Sequence, residues 1–202
     1  MEARGSLLVV TWSALACASA APCGPSRACG LPSLVPAPGA TMESRVALAW
    51  ADRAAGQGRD LSGRDALGVG RRRVYLGFQV PTEALEGRLE RALLVLVPDP
   101  GWSPSGARGS VRVRAVLTPW TAESTAPGAE PSLGGEVLAE ARLPADARAV
   151  VRLEVTPALL AWRAGTGGTG DLCLEADGDG VSFVGVGALD PAERPRLEVQ
   201  YR

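Results

Sequence analysis

The sequence contains no histidine, lysine, asparagine or isoleucine. Without histidine there is no Ser-His-Asp or Cys-His relay, and no histidine-ligated zinc or copper. Without lysine there is no Schiff base, no Walker A loop and no Ser-Lys dyad. Without asparagine there is no N-glycosylation acceptor. Every basic side chain is therefore arginine, and valine with leucine replaces isoleucine as the strand former. Basic and acidic residues number 21 and 22 in 202, a net charge of −1. That balance argues against a nucleic-acid binder, which needs a clear basic excess. Apolar residues make up 46% of the chain, enough for one domain with an ordinary core and some appendages.

The first twenty residues read as a targeting segment. Arg4 precedes LLVVTWSALACA, residues 7–18, which is apolar but too short for a stable bilayer span. Small residues at 18–20 favour cleavage after Ala20, and the alternative is a lipoprotein signal ending before Cys17. Residues 21–42 are rich in Pro, Ala, Gly and Ser without periodicity and read as a linker. The expected protein is secreted or held on the outer surface of a bacterial cell, touching membrane only through a lipid anchor. Export gives the cysteines a meaning. Cys23 and Cys29 enclose the short loop CGPSRAC and are expected to form a local disulfide, which leaves Cys173 as a buried, inert thiol.

From about residue 43 to the C-terminus, short apolar runs alternate with Gly, Pro and Asp clusters, the pattern of an all-β sandwich. In RVYLGFQV the alternation puts Val74, Leu76, Phe78 and Val80 on a core face, with Arg73, Tyr75, Gly77 and Gln79 on a wet one. VRVRAVL, VRLEV and RLEVQY alternate in the same way, with Val111, Val113, Val151, Leu153, Leu197 and Val199 inward. ALLVLV (92–97), VALAW (46–50), GGEVLAEARL (134–143), DLCLEA (171–176) and GVSFVGV (180–186) supply the remaining predicted strands. TPALLAWRAG predicts one short helix near residues 156–164, with Thr156 as N-cap, Pro157 at N1 and Leu159 and Leu160 turned inward.

The order of these segments resembles one known family. RRRVYLGFQVP is similar to its arginine-led first signature, ERALLVLV to the strand that follows, and VRVRAVLTPWTAES to its strand and W-x-E-S turn. LEVTPALLAWRAG is similar to its helix, and the run from GDLCLEADGDG to RPRLEVQY to its closing strands and hairpin. Together they resemble a DNRLRE-type domain, a group related to carbohydrate-binding modules that include alginate binders. The resemblance spans roughly residues 44–202. It implies a jelly-roll-like antiparallel sandwich that binds polysaccharide without catalysis, as a monomer, without nucleic acid. The rival reading is a structural or adhesive module whose partner is a protein of the cell envelope, and a third is a carbohydrate-cleaving enzyme.

Candidate site residues are few. Arg71, Arg72 and Arg73 read either as solvated residues at a strand entrance or as a grip on uronate carboxylates, for which guanidinium forks suit. Trp50, Trp120 and Trp162 are expected in the core. Trp102, in the turn-rich PDPGWSPSG, reads either as a stacking platform for a sugar ring or as a loop anchor. DGDG at 177–180 is expected as a hairpin turn, and a calcium role for Asp177 and Asp179 is the minority alternative. Glu123, Glu130, Asp146 and Asp190 are the acids available for a glycosidase pair, with nothing in the sequence to unite two of them.

Overall fold

The computed structural model describes residues 45–70, 72–102, 109–143, 149–178 and 180–202. The expected signal segment and linker, and with them Cys17, Cys23 and Cys29, lie outside the described residues, as do Arg71, Asp146 and Asp179. Among the described residues no helix is long and apolar enough to cross a membrane.

The fold is an all-β antiparallel sandwich wound from one continuous ladder. Eleven strands are described: β1 (Arg45–Gly56), β2 (Arg59–Asp60), β3 (Ala66–Val69), β4 (Val74–Phe78), β5 (Leu89–Leu96), β6 (Ser110–Ala115), β7 (Ala139–Arg142), β8 (Val151–Glu154), β9 (Leu172–Ala176), β10 (Val181–Val184) and β11 (Arg196–Tyr201). Their order across the large sheet is β7-β6-β9-β4-β1-β11-β5-β8, with β2 attached to β1. The strand that folds this ladder into two layers is β1. Residues 45–50 pair with β11, and from Ala51 onward the strand pairs with β4. At the start of the β4-paired stretch, between Ala51 and Arg53, the register shifts around Asp52, and such a bulge bends a strand and sharpens its twist. The extra residue also resets the alternation. Ala49 and Ala51 face the core before the bulge and Ala54 after it, and these small side chains let the facing layers approach.

The core between the layers is aliphatic. Leu94, Leu96, Leu153, Leu197 and Val199 come from one layer, and Val74, Leu76, Val111, Val113, Leu172 and Leu174 from the other, all at most 2% exposed. β3 and β10 form a separate two-stranded ribbon whose Leu67, Val69, Val181 and Phe183 join the same core. The alternation expected for β6, β8 and β11 is therefore observed. Two helices are described, α1 (Thr82–Glu86), which no sequence signal announced, and α2 (Thr156–Arg163), close to its expected bounds.

The structure corrects several local expectations. Tyr75 is 1% exposed rather than wet, and Gly77 is buried, because Trp120 packs over the Tyr75 ring and the Arg53 and Asp52 side chains lie over Gly77. Phe78 and Val80 are only half-buried. Thr156 is the first helical residue of α2, not its cap; Val155 holds that place without a side-chain bond. The Thr156 hydroxyl instead accepts from the Ala92 N–H at 2.9 Å and donates to Glu154 Oε1 at 2.9 Å. Leu160 is 41% exposed, since a helix this short packs only the face that carries Ala158 and Leu159. β9 and β10 do not form the hairpin expected around DGDG. β9 pairs with β4 and β6, whereas β10 pairs with β3, so this turn passes the chain out of the large sheet. Nor do the closing strands make a hairpin, because β11 lies between β1 and β5. The strand expected over 134–143 is confined to β7. Trp120 is buried at 6% exposure and Trp162 packs against the core, but Trp50 stays half-exposed beneath the Arg196 guanidinium, 5.8 Å from its ring centre.

The outer face of the second layer carries a small core of its own, made by Ala55, Tyr75, Val116, Trp120 and Cys173. A buried carboxylate pins it together. Asp171, 3% exposed, accepts from Arg53 Nη2 at 2.7 Å, Trp120 Nε1 at 2.7 Å and Thr169 Oγ1 at 2.9 Å. Arg53 also lies over the Trp120 ring, 4.7 Å from its centre, where cation and quadrupole attract. Burial pushes the Cys173 thiol up to about 12, so it stays protonated and inert.

Candidate functional site, an arginine-lined cleft

The sequence between β1 and β4 builds one wall of an open cleft. AAGQGRD turns tightly at Gln57 and Gly58, both at positive φ, 50° and 71°, the geometry that lets a two-residue turn match strand twist. The Gly58 N–H donates to Thr125 Oγ1 at 2.9 Å, which fastens this turn to the 3-10 turn at 123–125. Asp60 then accepts from both the N–H and the hydroxyl of Ser62, at 2.9 and 2.7 Å. Those two bonds hold its carboxyl below the usual carboxylate range and leave it ionised in a local turn.

The opposite wall comes from the segment after β5. Asp99 Oδ1 accepts from the Gly101 N–H at 2.9 Å and Oδ2 from the Ser182 hydroxyl at 3.0 Å. The Trp102 N–H donates to the Asp99 carbonyl at 2.9 Å. Asp99 thus ties the Trp102 turn to β10. Trp102 is half-buried; it packs against the core and also lines the cleft.

The cleft has a volume of about 1090 Å³. Among the described residues its charged lining is Arg59, Arg64, Arg72 and Arg73 against one acid, Asp60, with Trp102 at one side and Gly68, Gly70, Gly178 and Gly180 among the remaining residues. Gly180 is required where it stands: its φ is 86° and a Cβ would run into the Val69 carbonyl. Gly68 is different, since a Cβ there meets nothing within 4 Å. Its smallness keeps the cleft open, and the packing does not demand it. Arg59, Arg64 and Arg72 are exposed and have no ion-pair partner among the described residues. Arg73 is engaged by Glu175 at 2.8 Å and Glu130 at 3.5 Å.

The structure therefore brings Trp102, Arg72 and Arg73 to one surface, although some thirty residues separate them in sequence. It does not unite the other candidates. Asp177 is bonded to Arg112 at 2.6 Å and to the Ser110 hydroxyl at 3.2 Å, and no group of three or more acids or cysteines is placed to hold a metal among the described residues. Glu130 pairs with Arg73, Asp190 accepts from the Ala192 N–H at 2.8 Å to cap a 3-10 turn, and Glu123 begins another such turn. Arg59, Arg64, Gly68 and Asp99 were not singled out from the sequence. Their only signal was a density of turn residues on both sides of β3, and the β3–β10 pairing that joins those turns has no local mark. No model of a known protein family matches the chain, and no curated protein matches it either.

Proposed function

We propose that this protein is a non-catalytic binding module for acidic polysaccharide, secreted or tethered at the bacterial surface. The observation that carries the reading is the cleft, where Trp102 and three arginines without ion-pair partners among the described residues line one open groove. An indole offers a flat apolar face with one donor, suited to the face of a pyranose ring. Guanidinium forks match carboxylates in geometry and charge, and arginine stays ionised at every relevant pH. Uronate chains present both groups at each unit. The order of sequence motifs that resembles a DNRLRE-type domain supports the same class of ligand.

Affinity electrophoresis of the full chain through gels containing alginate, polygalacturonate or a neutral glucan tests the proposal. Retardation is expected in the acidic gels and not in the neutral one. It should weaken with added salt and be lost in Trp102→Ala and in Arg59→Ala/Arg64→Ala/Arg72→Ala. Unchanged mobility in every gel would sink the proposal, and recovery of an envelope protein in its place would favour the adhesive reading. Release of sugar from any of these polymers would overturn the non-catalytic part.

A further inference from the structure

A second cavity, of about 320 Å³, shares Arg72 and Arg73 with the cleft and is completed by Gln57, Tyr75, Thr125 and Glu130, with Pro127. Tyr75 is 1% exposed, and its hydroxyl makes no well-formed hydrogen bond among the described residues, with the Arg73 guanidinium and the Cys173 thiol as its polar neighbours. A buried hydroxyl left unbonded is costly, and folded proteins rarely tolerate one without a reason. The neighbouring Thr125 hydroxyl is already used, accepting from Gly58 N–H and donating to the Ala122 carbonyl at 2.7 Å. Burial pushes the Tyr75 phenol up to about 12, so it remains a neutral donor and acceptor at physiological pH.

We infer that this cavity is a terminal subsite for one uronate unit, its carboxylate on Arg72 and a ring hydroxyl on the Tyr75 hydroxyl. Glu130 supplies an acceptor for a second sugar hydroxyl, and it disfavours sulfate, which would meet its charge without offering a proton. The volume is at the lower end of small-ligand sites and suits a single sugar. Because Arg72 and Arg73 line both cavities, a chain in the cleft can end over this pocket. For polymer the inference rests on the cleft reading; for a free monosaccharide it stands alone.

Titration calorimetry with galacturonate and trigalacturonate on the full chain, in wild type, Tyr75→Phe and Gly68→Leu, separates the two. Tyr75→Phe should weaken both ligands about fivefold, the effect of one hydrogen bond. It should leave the melting temperature nearly unchanged, because the ring is kept and the hydroxyl removed makes no well-formed bond within the fold. Gly68→Leu, placed in open space, should weaken the trimer and spare the monomer. If galacturonate binds wild type and Tyr75→Phe equally, or only the trimer binds and ignores Tyr75→Phe, the subsite is refuted while the cleft stands. If the monomer binds with Tyr75 sensitivity and the trimer gains nothing over it, the cleft reading fails and the subsite survives. A lowered melting temperature in Tyr75→Phe would also refute the subsite, by showing that the hydroxyl has a structural partner.

Discussion

Arginine is used in two opposite ways on two faces of this domain. Over the outer face of the second layer four guanidinium groups meet carboxylates: Arg53 with Asp171 at 2.7 Å, Arg73 and Arg114 with Glu175 at 2.8 and 2.9 Å, and Arg112 with Asp177 at 2.6 Å. Around the cleft, Arg59, Arg64 and Arg72 line a groove where the one acid among the described residues, Asp60, is engaged by Ser62. On the first face the charges are largely paired, whereas the second, among the described residues, carries unpaired positive charge. A near-zero net charge thus conceals a local excess, and net charge alone is a poor guide to whether a domain binds anions.

The contrast can be broken hardest at its paired side. Asp171→Ala should cost roughly 3 kcal/mol, because it strips the indole N–H of Trp120, the Thr169 hydroxyl and the half-exposed Arg53 of a shared acceptor. Urea unfolding checks this, and a loss below about 1 kcal/mol would mean that solvent replaces those bonds. A second, smaller effect sharpens the contrast through pH. Cys173 and Tyr75 are both raised by burial to about 12, from 9.0 and 10.0. Between those values the unfolded chain loses protons that the folded one keeps, so stability is full below about pH 9 and declines as pH rises toward 12. Unfolding midpoints should fall across that window, and the fall should be shallower in Cys173→Ala/Tyr75→Phe; parallel curves would show that other groups set the alkaline limit. The smallest effect belongs to the open side. Arg59→Ala/Arg64→Ala/Arg72→Ala should change stability by less than about 0.5 kcal/mol, since exposed charges without partners contribute little to folding. A clear destabilisation would show that these arginines hold the structure together and are not free for a ligand.

How much of this was legible depended on whether the signal was local. β6, β8 and β11 each have one face inside and one in water, so period-2 alternation places Val111, Leu153 and Leu197 correctly. β4 shows the same alternation, but its second face lies under the segment that carries Trp120, and burial of Tyr75 depends on that distant chain. Thr156 has the chemistry of a cap, yet the strand beside it offers an unbonded N–H at Ala92, and that tertiary partner wins. Residues 177–180 contain the turn chemistry expected of them, with Gly178 and Gly180 at positive φ, but which strands a turn connects is decided by pairing rather than by the turn. At the site, Trp102 and Arg72 stood out as residues. Their shared surface follows from Asp99 reaching across to Ser182, a contact between segments more than eighty residues apart.

The bent strand β1 has a consequence for how the domain comes into being. It is the first strand described and belongs to both layers, and its first half pairs with β11, Arg45 opposite Tyr201. Neither layer is complete without it, and the layer holding β11 cannot close until the last strand has been made. Contacts of such sequence separation make folding slow, and the shared strand makes it collective. The domain should therefore appear late and all at once, with no half able to stand first.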